Sequence, residues 1–147
     1  MNLAAQRPDR SELPRSRAAS RPSRILVADD DGEFRGLVAE ALRTDGYDVV
    51  EEGDGGRLLV RVAAIYSFGA TADPIDLIVS DYCMPICSGL DILKGLRSAH
   101  WTTPFILMTG FGDDDLFASA AHLGACVMRK PFAATDLLDR VRTLLST

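Results

Sequence analysis

The sequence predicts an α/β protein in which five parallel β-strands form one sheet with helices on both faces. Three observations support this prediction. Five short apolar runs alternate with five longer amphipathic segments, a pattern typical of repeated βα units. The apolar runs are continuous, as in strands that are buried on both faces of a parallel sheet. The chain has 147 residues of average globular composition, which is enough for one domain and not for two.

The five apolar runs have the length of β-strands and consist mostly of aliphatic and β-branched side chains. They comprise residues 25–28, 47–50, 75–79, 105–108 and 125–128. Right-handed connections between parallel strands favour the order 2-1-3-4-5 of a doubly wound, flavodoxin-like sheet. Ligands in such sheets bind beyond the carboxyl ends of the strands, so we expect the functional residues there.

The first two amphipathic segments carry apolar residues at i, i+3, i+4 and i+7, which is one face of a helix. Gly46 supplies the left-handed turn that ends the first helix. The predicted inner faces are Phe34, Leu37, Val38, Ala41 and Leu42 in the first helix, and Leu58, Leu59, Val62, Ala63 and Tyr66 in the second.

The last three segments have recognisable helix starts. Ser88 can cap the third helix. Three acids at positions 113–115 begin the fourth helix, where they complement its dipole. The fifth helix begins at Ala134 or Thr135. The apolar residues of these helices are Leu90, Leu93 and Leu96, then Phe117 and Ala121, then Leu137, Leu138, Val141, Leu144 and Leu145.

Charge divides the chain into a basic segment and an acidic domain. Residues 1–23 carry five arginines and two acids, a net charge of +3, whereas residues 24–147 carry 11 basic and 19 acidic side chains, a net charge of −8. The acidic domain argues against nucleic acid as its partner, because phosphate binding needs lysine and arginine. It is compatible with a divalent cation. No apolar run reaches the length of a membrane span.

Residues 1–23 contain three prolines, four serines and few large apolar side chains. Such a segment cannot bury enough surface to offset the entropy cost of ordering it. We therefore predict a flexible basic N-terminal extension, followed by one domain over residues 24–147. The alternatives are an electrostatic arm for nucleic acid or anionic lipid, and an organelle transit peptide, which Asp9 and Glu12 disfavour.

The cysteine count indicates free thiols. The three cysteines are an odd number and the chain has no secretory signal, so we expect a reducing, cytoplasmic location and no disulfide framework. A zinc site needs four ligands, and Cys83 and Cys87 have only the distant His100 and His122 to complete one.

Polar residues of complementary chemistry follow four of the five predicted strands. The first strand is followed by Asp29 and Asp30, the third by Asp81, the fourth by Thr109 and the fifth by Lys130. Because parallel strands share one carboxyl edge, we expect these side chains to converge. Clustered carboxylates repel one another unless a cation neutralises them. Hard oxygen ligands on an open rim suit Mg²⁺.

The residue types at this edge suit phosphoryl transfer. A lysine binds a phosphoryl group as a point charge, a threonine hydroxyl can donate to a phosphoryl oxygen, and Asp81 can be the accepting nucleophile. A single acid at a strand end is more simply a loop residue or a helix cap. We interpret Asp31 and the acids at 113–115 in that way, but chance does not account for four strand ends that all carry a needed chemical type.

Four sequence runs at these strand ends are specific when they occur together. They are ILVADDD, LIVSDYCMP followed by SGLDIL, FILMTG and RKPF. The chain closely resembles the chemotaxis-type receiver domain of bacterial response regulators, and the resemblance covers residues 24–147 in the family's order and spacing. It implies that a histidine kinase or histidine phosphotransfer protein phosphorylates Asp81, and that the phosphate switches the binding of a downstream protein.

The resemblance also implies a role for each residue of the motifs. The implied Mg²⁺ ligands are Asp29, Asp30, Asp81 and the backbone carbonyl of Cys83, with Asp30 binding more directly than Asp29. Thr109 and Lys130 are implied to contact the phosphoryl group, and Pro131 to follow a cis peptide bond that aims the lysine. The residues implied to shape the site are Met84, Pro85, Gly110, Phe111 and Pro131.

The chain departs from the family pattern at three positions. Val127 stands three residues before the lysine, where the family usually has an aromatic residue coupled to the threonine. Either the switch uses a different rearrangement or the valine simply fills a strand position. The resemblance implies that Cys83 and Phe111 flank the phosphoryl site, at the two positions that tune hydrolysis in this family, and neither can position an attacking water. We therefore predict a long-lived acyl phosphate, because the bulky Phe111 can exclude water from the in-line path.

Three functions are compatible with these residues. The preferred one is a stand-alone receiver that acts through a partner and, rather than being an enzyme, catalyses only its own phosphorylation and slow dephosphorylation. The second is an adaptor that binds its partner regardless of phosphorylation. Val127 leaves this function open, whereas the intact Asp81, Thr109 and Lys130 count against it. The third is an aspartate-nucleophile phosphohydrolase, which would carry a DxDxT motif on the first strand, where this chain has DDDGE.

Overall fold

The structure of the protein, a computed structural model, describes residues 21–67, 74–110 and 114–146, in which strands and helices alternate. The strands are β1 (Arg24–Ala28), β2 (Asp48–Glu52), β3 (Leu77–Asp81), β4 (Phe105–Thr109) and β5 (Cys126–Arg129). The helices are α1 (Gly32–Thr44), α2 (Gly55–Ser67), α3 (Gly89–Ser98), α4 (Asp114–His122) and α5 (Ala134–Leu145).

The five strands form one parallel sheet in the order β2-β1-β3-β4-β5, which confirms the predicted fold class and strand order. The register pairs Ala28 of β1 with Ser80 of β3, and Ser80 with Leu107 of β4. The carboxyl ends of the three central strands therefore lie side by side, and the residues that follow them share one edge of the sheet.

Helices cover both faces of the sheet. Successive side chains of a strand point to opposite faces, so a strand contributes to the core on each side. In β1, Ile25 and Val27 pack in one apolar cluster with residues of α1 and α5, whereas Leu26 and Ala28 pack in the other with residues of α2, α3 and α4. All four side chains are fully buried. The continuous apolar run of β1 is thus explained by burial on both faces of the sheet, as predicted.

The inner faces predicted for the first two helices are partly wrong. The side chain of Leu37 in α1 is 62% exposed, and that of Leu59 in α2 is 47% exposed. The buried stripe of α1 consists instead of Val38, Ala39 and Leu42. A helix packed on one face of a sheet buries a narrower stripe than the apolar pattern suggested, and neighbouring residues are rotated by about 100° around the helix.

Side-chain caps fix two of the helix starts near the carboxyl edge of the sheet. The Asp31 carboxylate accepts from the backbone N–H groups of Glu33 and Phe34 at the start of α1. Ser88 caps α3 and forms a reciprocal capping box with Asp91. These contacts confirm the helix-cap interpretation of Asp31 and the predicted cap at Ser88. Of the acids at 113–115, two lie in the first turn of α4 and Asp113 lies outside the described residues.

The predicted N-terminal extension lies mostly outside the described residues and stays a prediction. Of its 23 residues, only Arg21, Pro22 and Ser23 are described. The Ser23 carbonyl accepts from the backbone N–H of Asp48, and Arg21 Nη2 lies 3.4 Å from the Asp76 carboxylate. The described end of this segment therefore contacts the first residue of β2 and the residue directly before β3. No helix within the described ranges has the length and apolar character needed to cross a membrane.

Ile86, in the loop between β3 and α3, has a left-handed backbone with φ +76° although it is β-branched. Such a conformation costs an L-residue roughly 1–2 kcal/mol, and asparagine tolerates it better. The Ile86 side chain is 87% exposed, so replacing it sacrifices little apolar burial. We expect Ile86→Asn to raise the free energy of unfolding by about 1 kcal/mol and Tm by roughly 4 °C, as measured by thermal denaturation.

The control for this prediction is Val60→Asn. Val60 is also β-branched and is 70% exposed, but it lies within the helix α2. Because no left-handed strain is relieved there, this substitution should leave Tm unchanged or lower it. An Ile86→Asn protein no more stable than the wild type would contradict the strain argument.

Candidate functional site

Lys130 connects the carboxyl ends of β1 and β3 through two ion pairs. Its Nζ atom lies 2.8 Å from Asp29 Oδ2 and 3.0 Å from Asp81 Oδ1. Both carboxylates are buried, whereas 22% of the lysine side chain is exposed. The structure thus brings together three residues that the sequence places after three different strands.

The chain around Lys130 holds its side chain over this edge. Its backbone N–H donates to the Thr109 carbonyl at 2.8 Å, which ties it to the end of β4. Its ammonium group lies 4.3 Å from the centre of the Phe34 ring, which in turn packs edge-on against Phe132. The peptide bond between Lys130 and Pro131 is cis, as the family resemblance implied.

Asp81 is the last residue of β3 and lies directly against the start of α3. The Ser80 hydroxyl donates to the Asp81 carbonyl at 3.1 Å. A Cβ atom at Gly89, the first residue of α3, would lie 2.4 Å from the same carbonyl oxygen. Only glycine permits this approach, so the end of β3 is confined by backbone on one side and by Lys130 on the other.

The pKa of Asp81 and the pKa of Lys130 are both raised by their surroundings. Burial is the largest cause and raises the pKa of Asp81; the hydrogen bond from Lys130 opposes this effect, and the Asp29 and Asp30 carboxylates add to it. Burial lowers the pKa of Lys130, but the hydrogen bonds to Asp29 and Asp81 and the negative charges of these carboxylates together outweigh burial and leave that pKa raised. The lysine therefore stays cationic, and a further cation would favour the ionised form of Asp81.

Asp29, Asp30 and Asp81 form what we call the acidic cluster. One carboxylate oxygen from each lies within 4.8 Å of the others, and within the described residues this is the group of three acidic, histidine or cysteine side chains that could hold a metal. Asp30 is exposed, so a bound ion would keep access to water. Oxygen donors of this kind, open on one side, fit Mg²⁺, which keeps several of its waters when bound.

The loop after β3 adjoins the acidic cluster. A shallow cleft beside Asp30 is lined by Tyr82, Cys83, Met84, Pro85 and Ser88. Cys83, whose backbone carbonyl is the fourth predicted ligand, is exposed, as is Pro85, and Met84 is half-buried against the core. The predicted loop residues are thus next to the predicted metal ligands.

The remaining predicted residues lie on β4 and β5 or directly after them. Thr109 is buried at the end of β4, and Gly110 follows it at the surface. Val127 pairs with Leu107 in the sheet and is half-buried among the apolar residues under α2, α3 and α4. Phe111 lies outside the described residues.

Sequence reasoning missed Arg35. Its Nη1 atom donates to the backbone carbonyl of Asp29 at 2.7 Å, and its Nε atom lies 3.2 Å from Glu51 Oε1. The available signal was an arginine one helical turn after the cap residue Asp31, a spacing that returns a long side chain to the start of its helix. That spacing is common on helix surfaces and is not specific by itself.

Comparison with protein families gives one assignment for most of the chain. Residues 25–142 match the family model of the response regulator receiver domain. The matched range begins in β1 and ends in α5, and it contains every predicted site residue.

The curated relatives are longer proteins. The chain is 35% identical over 124 residues to the transcriptional regulatory protein CpxR of Escherichia coli, covering 84% of this chain and 49% of the relative. It is 31% identical over 129 residues to the transcriptional regulatory protein PdtaR of Mycobacterium tuberculosis, covering 87% of this chain and 59% of the relative. The chain therefore spans about half the length of the curated relatives that it matches.

Solved structures with the same fold match this chain over nearly their whole length. The receiver domain of the Francisella response regulator 1452 matches with a TM-score of 0.74 at 26% identity, covering 84% of this chain and 97% of that one. The chemotaxis protein CheY4 of Vibrio cholerae matches with a TM-score of 0.71 at 26% identity, covering 84% and 99%. Together with the family match, these similarities show that the chain belongs to the response regulator receiver domains of two-component signalling.

Proposed function

We propose that the chain accepts a phosphoryl group on Asp81 from a histidine kinase or phosphotransfer protein, in a Mg²⁺-dependent reaction, and that the phosphate changes its binding to a downstream protein. One observation carries the proposal. Asp81, buried at the end of β3, lies 3.0 Å from Lys130 Nζ within a cluster that also contains Asp29 and Asp30. We expect this to take place in the cytoplasm.

The proposed transfer requires few groups. A carboxylate oxygen of Asp81 forms a bond to phosphorus while the bond from phosphorus to the donor's leaving atom breaks, and the leaving group keeps that electron pair. Lys130 places a positive charge beside the incoming phosphoryl oxygens, and the Thr109 hydroxyl donates to another of them. The residues would hold Mg²⁺ through Asp29, Asp30, Asp81 and the Cys83 carbonyl, and the ion would supply further charge for the phosphoryl oxygens. The protein would act on itself only, not as an enzyme for a separate substrate.

The experiment that tests the proposal uses the full chain, Mg²⁺ and acetyl phosphate as a small phosphodonor. We expect one phosphate per chain that is labile in base and is released by neutral hydroxylamine, as an acyl phosphate is and a phosphate ester is not. Turnover of a phosphate ester without stable labelling would favour a phosphohydrolase instead. No labelling with any donor or kinase would contradict the proposal.

Removal of the metal, or of one of its ligands, should have a large effect. We expect a chelator to abolish labelling by acetyl phosphate. Asp30→Asn should raise the Mg²⁺ concentration for half-maximal labelling by about tenfold or more, since a carboxylate a few Å from a cation contributes roughly 1–4 kcal/mol. A Mg²⁺ titration of the initial labelling rate measures this shift.

Asp31→Asn is the matched control. An asparagine at this position can still cap α1, so the fold should be retained, and Asp31 is not a member of the acidic cluster. The midpoint of this variant should stay near the wild-type value. Equal midpoints in the two variants would show that Asp30 has no special role towards the cation.

An adaptor function remains the second candidate because of Val127. The family's aromatic residue is replaced by a half-buried valine that packs in the core, which removes one usual means of transmitting phosphorylation. The two candidates differ in one measurement: once a binding partner is identified, an adaptor would bind it equally with and without phosphate on Asp81.

The lifetime of the acyl phosphate stays a prediction from the sequence. We expect slow decay, because neither Cys83 nor Phe111 offers a group that positions an attacking water. Phe111→Glu should shorten the half-life of the radiolabelled protein. A half-life of seconds in the wild type, unchanged in Phe111→Glu, would reject the explanation.

A further inference from the structure

Three oxygen atoms of Asp29 each accept a hydrogen bond from a different part of the chain. Oδ2 accepts from Lys130 Nζ at 2.8 Å, Oδ1 from the backbone N–H of Asp31 at 3.0 Å, and the backbone carbonyl from Arg35 Nη1 at 2.7 Å. The first two donors belong to the motifs already described. Arg35 approaches from the second turn of α1, and its charge strengthens the bond to the carbonyl.

The guanidinium of Arg35 is itself held in place. Its Nε atom lies 3.2 Å from Glu51 Oε1, and the other oxygen of Glu51 accepts from Arg43 Nη1 at 3.1 Å. A Cβ atom at Gly53 would lie 3.3 Å from Arg35 Nη1, so the glycine leaves room for the guanidinium. Only 23% of the Arg35 side chain and 29% of the Glu51 side chain are exposed, so solvent screens this pair only partly.

These contacts connect β2 with the turn between β1 and α1. Glu51 lies in β2, where it pairs with Val27 of β1. Arg35 thus bridges from Glu51, near the carboxyl end of β2, to the carbonyl of Asp29, and the next residue in the turn is Asp30. Planar guanidinium groups suit such a bridge because their N–H donors have fixed relative directions.

We propose that Arg35 is a positioning residue for the metal site: by holding the Asp29 carbonyl against β2, it keeps the Asp29 and Asp30 carboxylates in the arrangement that binds Mg²⁺. The inference rests on the proposed Mg²⁺-dependent function. It assigns Arg35 no contact with the ion or the phosphoryl group, so its effect passes through the turn.

Two substitutions distinguish the positioning role of the Arg35 guanidinium from the effect of its positive charge alone. Arg35→Met removes the guanidinium and keeps an unbranched side chain, whereas Arg35→Lys keeps the positive charge but cannot donate to Asp29 and Glu51 from one rigid fork. We expect both variants to raise the Kd for Mg²⁺ by about tenfold, the size typical for partners that orient metal ligands. Isothermal titration of the full chain with MgCl₂ alone measures the Kd.

Arg43→Met is the matched control. Arg43 lies on the same helix and binds the same glutamate, but its other hydrogen bond is to the Val49 carbonyl. Arg43→Met should lower Tm about as much as Arg35→Met and leave the Kd for Mg²⁺ near the wild-type value. Without Mg²⁺, the amide NMR signals of residues 29–31 should move in Arg35→Met and stay in place in Arg43→Met.

Three results would overturn the inference. They are an unchanged Kd in Arg35→Met, an equal rise in Arg43→Met, and a wild-type Kd in Arg35→Lys, which would show that charge alone suffices. Since Mg²⁺ binding is measured without a phosphodonor, the test does not depend on phosphorylation. If the wild-type chain binds Mg²⁺ but takes up no phosphate, the proposed function is wrong. The titration still decides in that case whether Arg35 positions the metal ligands.

Discussion

Replacing Asp81 by asparagine should reduce labelling by acetyl phosphate and Mg²⁺ to the level seen without donor. An amide has the shape of the carboxylate but lacks the anionic oxygen that attacks phosphorus. Asp81 is one of the two buried members of the acidic cluster and ends β3. Asparagine can still accept a hydrogen bond from Lys130, so the fold should persist. Phosphate incorporation and circular dichroism, measured on the same sample, check both parts.

Asp115→Asn is the control for this substitution. Asp115 is an exposed acid in the first turn of α4 and is not part of the acidic cluster. Its labelling should match the wild type. If Asp81→Asn still accepts phosphate at the wild-type rate while folded, another residue is the acceptor and the account of the site is wrong.

Replacing Lys130 by methionine should impair both labelling and stability. It removes the cation that lies 2.8 Å from Asp29 and 3.0 Å from Asp81. We expect the initial labelling rate at saturating Mg²⁺ to fall about a hundredfold, as for the loss of one prearranged contact to developing charge. Breaking a buried ion pair costs about 3–5 kcal/mol. Because 22% of the lysine side chain is exposed, we expect a loss of about 2 kcal/mol in the free energy of unfolding in Mg²⁺-free buffer.

The stability loss should depend on the metal. Mg²⁺ can replace the missing charge beside Asp29 and Asp81, so saturating Mg²⁺ should restore most of the lost stability without restoring the labelling rate. Lys94→Met is the control, because Lys94 is the other lysine of the chain and is exposed on α3. A Lys130→Met protein as stable as Lys94→Met in Mg²⁺-free buffer would show that the two ion pairs contribute nothing to the fold.

The sheet and its order could be predicted because continuous apolar runs have few alternatives. A strand that is apolar at most positions buries both faces, as β1 and β4 do. Five strands joined by helices in regular alternation then leave little choice of topology. The helix faces were harder to predict. Leu37 and Leu59 fit the apolar spacing and are nonetheless exposed, because spacing alone does not show how wide a stripe the sheet will cover.

The site was predictable as far as it depends on strand ends. The positions of Asp29, Asp81 and Lys130 follow from a parallel sheet with one carboxyl edge, and in the structure their side chains meet there. Arg35 was not predictable in this way, because its partner is a backbone carbonyl, which leaves no mark in the sequence. The left-handed backbone of Ile86 was equally hidden, since glycine or asparagine is the usual signal for that conformation.

The most direct test of the account is to locate the phosphate on the chain. Borohydride reduces an aspartyl phosphate to homoserine, so peptide mass spectrometry after incubation with Mg²⁺ and acetyl phosphate identifies the acceptor. We predict homoserine at position 81 alone, and none when a chelator is present during the incubation. Homoserine at another acid, or an unmodified Asp81 in protein that carries an acyl phosphate, would contradict it.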